Sequence, residues 1–380
     1  MVRVRDRARP VRRENGPQKP VGLSEADQEA DLDERVQPAK RPTGGGNQRA
    51  DTLPVRSVPM SRVGAIDLGT NSTRLLVADV EDGRIRELER DVRVTRLGEG
   101  VDERRRLLPV PIARVRNVLS DYRRTLESHG ADRTLAIATS AVRDAENGEA
   151  FLGEVEWSYG FSTRLLSGDD EALLTFRGVT ADRSLAAGTV ILDVGGGSTE
   201  IVLGGPDDVG WHDSLDIGSV RLTERHLRSD PATSRELDEC AVAVRAVLAE
   251  RVPPEVRADA RALVGVAGTI TSLAALDLDL AEYDRERVHG HVLDRDALQR
   301  QLERLAAAPL SERRQIRPLD PERAPVIVAG AVIAREALAF FSVDALEASE
   351  RDILDGAALA AAELPEPAEG AAPPGAYTCC

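Results

Sequence analysis

Asp67-Leu68-Gly69-Thr70-Asn71-Ser72-Thr73 returns, 126 positions later (193 less 67), as Asp193-Val194-Gly195-Gly196-Gly197-Ser198-Thr199. Each copy stands between two apolar runs: Val63-Gly64-Ala65-Ile66 and Leu75-Leu76-Val77 in the first, Val190-Ile191-Leu192 and Ile201-Val202-Leu203 in the second. Short apolar runs split by a Gly/Ser/Thr bend predict a β-hairpin whose first strand ends on a carboxylate. Glycine at the bend permits φ > 0, so that successive backbone N–H groups face one concavity and hold an anion, with the Ser and Thr hydroxyls as further donors. A tight hairpin uses the same residues for structural reasons alone. A matched second copy, with aspartate in the same place, is most economically a duplicated domain. The repeat therefore predicts two hairpins facing one another across a cleft and gripping a chain of phosphates from both sides. The aspartates suit Mg²⁺, or a water on it, better than phosphate itself.

Outward from the repeat, short apolar runs alternate with helical spacing. Strands are expected at 62–68, 74–80, 85–94, 134–139 and 189–194. Apolar residues at Ile112, Val115, Leu119, Tyr122 and Leu126 mark a helix that Gly130 closes. Ser167 and Asp170 form a capping box opening a helix over 169–176. Further helices are expected around Leu237 to Leu248, around Leu298 to Leu305, and over 325–341. Such alternation predicts an α/β architecture. Residues 1 to about 60 are rich in Pro and Gly, carry six arginines between Arg3 and Arg13, and lack apolar periodicity. They read as a disordered tail, as do the residues after about 363. The chain has two methionines, and the ordered pattern begins just after the second, Met60, which suggests that translation starts there.

The chain has 380 residues and a formal net charge of −15. That balance excludes a general nucleic-acid binder, which needs a basic face to displace counterions. A polyanionic ligand must be held by a local site. No apolar run approaches a membrane span, and the N-terminus lacks a signal-peptide core. Three cysteines, Cys240, Cys379 and Cys380, are too few and too badly placed for a disulfide framework or a zinc site. A reduced, cytoplasmic protein is expected, without a membrane or nucleic-acid partner. Apolar residues within 325–341 and 357–362 leave room for a homodimer, and intradomain burial accounts for them equally well.

The paired hairpins resemble the phosphate motifs of the actin-like superfamily. Three more segments narrow the resemblance: Ala138-Thr139-Ser140-Ala141-Val142-Arg143-Asp144-Ala145, Ser167-Gly168-Asp169-Asp170-Glu171-Ala172, and Asp216-Ile217-Gly218-Ser219-Val220-Arg221-Leu222-Thr223-Glu224. From about Ser61 to about Glu363 the chain is similar to the exopolyphosphatase / guanosine pentaphosphate phosphohydrolase family, in its short two-domain actinobacterial form. The resemblance implies duplicated actin-like (ribonuclease H-like) domains over 61–182 and 183–363, flanking a central cleft. It implies Glu171 as the base that activates water, a role a carboxylate can fill when held beside the attacking oxygen. It also implies Asp193, Glu200 and Asp67 as ligands of Mg²⁺ or Mn²⁺. The phosphate-binding set it implies is Gly69, Thr70, Asn71, Ser72, Arg143, Gly195, Gly196, Gly197 and Ser198; an arginine fork suits oxyanions.

The expected reaction removes terminal phosphate from inorganic polyphosphate. The alternatives are removal of the 5′ γ-phosphate of guanosine pentaphosphate, a kinase of the same fold, and a non-catalytic sensor. Ala329-Gly330-Ala331 replaces the Gly-Gly pair of nucleotide-binding relatives, which argues against adenine binding and for close helix packing. The strand over 264–266 leads through Gly268 into a helix whose N-terminus is a natural anion site. His289 and His291 lack partners at metal spacing and read as loop residues.

Overall fold

The structure, a computed structural model, describes residues 60–365 apart from Asp132 and Asp207. Both expected tails, and Cys379 and Cys380 with them, lie outside the described residues apart from the short segment 364–365. In chain order the first half runs β1 (Ser61–Leu68), β2 (Ser72–Glu81), β3 (Arg84–Val94), α1 (Val101–Arg104), α2 (Pro109–His129), β4 (Arg133–Ala138), α3 (Ser140–Arg143), α4 (Gly148–Tyr159), β5 (Ser162–Leu165) and α5 (Gly168–Val179). The second half runs β6 (Thr189–Val194), β7 (Thr199–Gly204), β8 (Val209–Leu215), α6 (Ser219–His226), α7 (Ser234–Arg251), α8 (Pro254–Asp259), β9 (Ala262–Val266), α9 (Ala267–Asp277), α10 (Arg285–Val288), β10 (Val292–Asp294), α11 (Arg295–Ala307), α12 (Leu310–Arg313), α13 (Ile327–Phe341), β11 (Ala345–Ala348) and α14 (Ile353–Ala362).

The duplication is visible in the sheets. The first has the order β3-β2-β1-β4-β5, and the second β8-β7-β6-β9-β11 with β10 added at its edge. In each, the first two strands pair antiparallel as a hairpin while the fourth lies parallel to the first. This is the actin-like, ribonuclease H-like pattern, present twice. Strands β1 and β6 are apolar on both faces because helices cover both. On the first sheet, Ile66 and Leu68 pack with Val115, Leu119 and Tyr122 of α2. Val63 and Ala65 face Leu354, Ala357 and Ala358 of α14.

That second contact crosses the chain. Helix α14 ends the second half yet lies on the first sheet, while α5 ends the first half and sets Ala172 and Val179 against Ile191 and Val202 of the second sheet. The segment at 182/183 joins α5 to β6, and on either side of it the halves trade helices. The two traded helices pack on each other through glycine: a Cβ on Gly178 would overlap Asp352 O, and one on Gly356 would overlap Leu174 O. The Ser167–Asp170 capping box is present at the start of α5, and Gly130 closes α2 in the left-handed conformation. Most apolar side chains at 325–341 and 357–362 are buried within the chain, so intradomain packing accounts for them. No helix among the described residues is long and apolar enough to cross a membrane.

Gly356→Ala is expected to wedge α14 from α5 and to lower the unfolding free energy by about 1–3 kcal/mol, read as an earlier midpoint in urea with an unchanged slope.

Candidate active site

The two glycine bends meet. A Cβ on Gly196 would come within 2.9 Å of Thr70 Cβ, and one on Gly197 would run into Ser140 Oγ and Thr70 Oγ1. Only glycine lets the second tip approach the first this closely. The tips share one cavity of about 70 Å³, whose walls include Gly69, Thr70, Asn71, Ser72, Gly195, Gly196, Gly197 and Ser198, with Glu171 and both Asp67 and Asp193. Thus every bend residue expected on phosphate, and both hairpin aspartates, reach the cavity. Glu200 and Arg143 stand one layer back, each bonded to a neighbour of the cavity wall.

The way the bends present donors differs from the expectation. Among the described residues, none of Gly69, Gly195, Gly196 and Gly197 has positive φ. The carbonyls are tied back instead. In the second hairpin, Ser219 N–H donates to Gly195 O at 2.9 Å, Val220 N–H to Gly196 O at 2.8 Å, and Arg221 Nε to Gly197 O at 2.7 Å. In the first, Gly98 N–H donates to Thr70 O at 2.8 Å, and Arg96 N–H to Asn71 O at 2.9 Å. A trans peptide points its N–H opposite to its C=O, so carbonyls drawn outward leave the N–H groups of the next residues turned inward. The same turn bond closes both bends: Gly69 N–H to Ser72 O at 3.0 Å and Gly195 N–H to Ser198 O at 3.1 Å.

Glu171 lies in the first turn of α5, 7 % exposed. Its Oε2 accepts from Arg143 Nη1 at 3.0 Å, and the same nitrogen donates to Leu166 O at 2.9 Å. Arg143 was expected on phosphate. In the structure its guanidinium bonds Glu171 and Leu166 O. Burial and the nearby Glu200 push the Glu171 carboxyl well above the ordinary glutamate range, and Arg143 pulls it partly back.

The register exposes an asymmetry that the repeat conceals. Asp67 pairs across its hairpin with Arg74, and Asp193 pairs across its own with Glu200. Arg74 bridges Asp67 at 2.7 Å and also pairs with Asp352 at the start of α14. Asp67 Oδ2 therefore has a cation already, although its buried Oδ1 has no hydrogen-bond partner. Among the described residues, no arginine or lysine forms an ion pair with Asp193 or Glu200 of the second hairpin. Glu200, 1 % exposed, accepts from Ser214 Oγ at 2.7 Å, and Asp193 accepts from Thr175 Oγ1 at 3.1 Å. Burial raises both carboxyls, and the neighbouring Glu200 raises Asp193 further. Among the described residues, no three His, Cys, Asp or Glu side chains converge closely enough to hold a metal by themselves. Mg²⁺ usually takes one or two carboxylates and fills its shell with water and substrate oxygens, so this donor set fits it.

Sequence reasoning missed Arg74 and Arg323. Both line the cavity. The 126-residue offset that pairs the aspartates also pairs Arg74 with Glu200, a signal present in the repeat. Arg323 had none: it arrives from the loop before α13 and lays its guanidinium over Gly268, at the start of α9, where any side chain would collide with it. The expected anion site on α9 thus has a cation above it. Arg74, Gly268 and Arg323 also border a second cavity of about 380 Å³ that adjoins the first. The Ala329-Gly330-Ala331 segment is buried, with Gly330 against Thr269 of α9, in agreement with close helix packing. His291 bonds Asp277 at 2.9 Å, and His289 accepts from Glu350 N–H at 3.1 Å.

The crowding of Glu171, Asp193 and Glu200 predicts a sign. A carboxyl with a raised folded-state pKa costs stability once deprotonated, and that cost vanishes below the ordinary value of 4.5. Glu200→Gln, in metal-free buffer, is expected to raise the melting temperature at neutral pH and to leave it unchanged near pH 4, as read by calorimetry across pH.

The comparisons with known proteins fit this geometry. Exopolyphosphatase 2 of Mycobacterium tuberculosis (strain ATCC 25618 / H37Rv) is 40% identical over 321 residues, covering 80% of this chain and 99% of that one. The crystal structure of an exopolyphosphatase-like protein matches with a TM-score of 0.73 at 36% identity, over 77% of this chain and 96% of that one. The Aquifex aeolicus member of the Ppx/GppA family matches with a TM-score of 0.68 at 32% identity, over 80% and 97%. With its family model spanning residues 76–362, the chain belongs to the Ppx/GppA phosphatase family.

Proposed function

We propose that this chain is an exopolyphosphatase, hydrolysing the terminal phosphoanhydride bond of inorganic polyphosphate with Glu171 as the base. The observation that carries the reading is one cavity walled by both glycine bends and by Glu171. The inward N–H groups of the bends bind the terminal phosphoryl oxygens. Arg74 and Arg323 face the adjoining units, and the second cavity gives the rest of the chain its path. Water attacks the terminal phosphorus in line with the bridging oxygen. Glu171 takes the proton, the P–O bond to the bridge breaks, and the shortened polyphosphate leaves with that oxygen. Such catalysis is chiefly positioning and charge stabilisation.

Glu171 works as a base only when ionised. Its raised pKa therefore places the acid limb of activity nearer neutrality than an ordinary carboxylate would, and Arg143 limits that rise. Asp193 and Glu200, with the free Oδ1 of Asp67, would hold Mg²⁺ or Mn²⁺. Such an ion neutralises charge gathering on phosphate oxygens. The acidic chain binds its polyanion through these few buried groups, and we place the activity in the cytoplasm, apart from membrane and nucleic acid.

Glu171→Gln is expected to lower phosphate release from polyphosphate by about 10²- to 10⁴-fold while leaving the melting curve intact; undiminished turnover in a folded variant sinks the mechanism. Guanosine pentaphosphate at matched phosphate-end concentration is the competing substrate, and preference for it moves the reading to the sister activity. The metal is tested without turnover: Mg²⁺ is expected to raise the melting temperature of wild type but not of Asp193→Asn.

A further inference from the structure

Arg221, 7 % exposed, lies outside the wall of the active-site cavity. Its guanidinium joins segments far apart in the chain. Nε donates to Gly197 O at 2.7 Å, Nη1 to Asp102 at 2.5 Å, and Nη2 to Asp144 at 2.5 Å and to Ser140 Oγ at 3.3 Å; Asp216 adds a carboxylate at 3.7 Å. Gly197 is the tip of the second hairpin. Ser140 begins the single turn of α3, and Asp144 follows its end. The last residue of that turn is Arg143, the ion-pair partner of Glu171. One planar fork therefore grips the phosphate cradle and, through one turn of helix, the counterion of the base.

The chemistry of the group matters here. A guanidinium holds its five donors in a fixed plane, so it sets the spacing between its acceptors. Gly197 O and Ser198 N–H belong to one peptide unit. A cation on that oxygen both aims the N–H and polarises it toward an anion. Charge pairing across the two sheets does not need Arg221, because Arg225 already binds the same Asp102 twice at 2.6 Å. What Arg221 adds is the link between hairpin and α3. We infer that Arg221 is a positioning residue that keeps the second phosphate-binding hairpin in register with Arg143 and Glu171. Its kinetic consequence rests on the proposed exopolyphosphatase reading; its structural consequence does not.

The test compares wild type with R221Q, R225Q, R143M and the R143M/R221Q double variant, all as full chains. Phosphate release from polyphosphate is measured beside amide hydrogen exchange in peptides spanning 140–144 and 219–222 of the unliganded protein. R221Q is expected to lower kcat on the order of 10- to 100-fold, the loss of charge-assisted bonds, with a smaller change in KM; R225Q stays within about twofold of wild type. The double variant is expected no more than about threefold below R143M, because both changes break one alignment. Exchange at 140–144 is expected to accelerate about tenfold in R221Q and not in R225Q. Wild-type kcat in R221Q, or losses that multiply in the double variant, overturns the inference. Should R221Q fail to fold, R221K, which keeps the charge without the fork, is read in the same way. If wild type releases no phosphate from polyphosphate, the exopolyphosphatase reading fails alone. The exchange arm then decides Arg221: acceleration at 140–144 upholds the inference, and unchanged exchange there overturns it.

Discussion

The site depends on where five backbone carbonyls point, those of Thr70, Asn71, Gly195, Gly196 and Gly197. Each glycine bend has its C=O groups bonded outward, to α6 in the second hairpin and to the segment 95–98 in the first. Planarity of the peptide does the rest, turning the intervening N–H groups toward the shared cavity. An anion site built this way needs no strained residue. It needs a second layer that supplies donors, and in this fold that layer is the segment following each hairpin: β3 and its loop in one half, β8 and α6 in the other. The hairpin alone is therefore an incomplete instruction, and the cradle exists only once the third strand of each sheet has returned past it.

Duplication produced two hairpins, and one substitution in register made them unlike. Arg74 neutralises Asp67, whereas Glu200 adds to the charge beside Asp193. The first half thus sets an arginine already paired with Asp67 and Asp352 at the cleft, and the second a surplus of buried carboxylate. Two buried carboxylates whose side-chain partners are hydroxyls and not a cation are expensive to ionise at low dielectric, and burial raises their proton affinity accordingly. A protein retains such a cost where a ligand relieves it. Glu171 shares the cost, and Arg143, from the end of α3, offsets part of the rise in its proton affinity.

Much of this could be read from the chain. The 126-residue repeat carried both hairpins, their aspartates and the two-sheet architecture, because strand–bend–strand is local and its pattern survives in sequence. The capping box at Ser167 placed Glu171 in the first turn of α5 for the same reason. What escaped was set by tertiary return. Nothing around Gly356 tells that α14 crosses to the first sheet, since a helix apolar on every side but for Asp355 suits any buried face. Arg323 and Arg221 look like ordinary surface arginines until the loop before α13 and the first turn of α6 bring them over Gly268 and Gly197. The expectation of left-handed glycines failed because the same inward N–H groups can be had by holding the carbonyls, an arrangement that leaves no mark on composition.

The asymmetry also orients the guest. On the proposed reading, the phosphoryl group under attack must lie beside Glu171, near Asp193, where the surplus negative charge requires a metal or a proton. The units behind it must then run toward Arg74 and Arg323, which border both cavities. A chain placed the other way round would set its bridging oxygens among carboxylates and leave its end against the arginines, with no base near the terminal phosphorus. A symmetric pair of hairpins could not impose that choice. The exchange of a single charge at one register position, Arg74 for Glu200, gives a duplicated cradle a direction, and attack from one end of a polymer requires one.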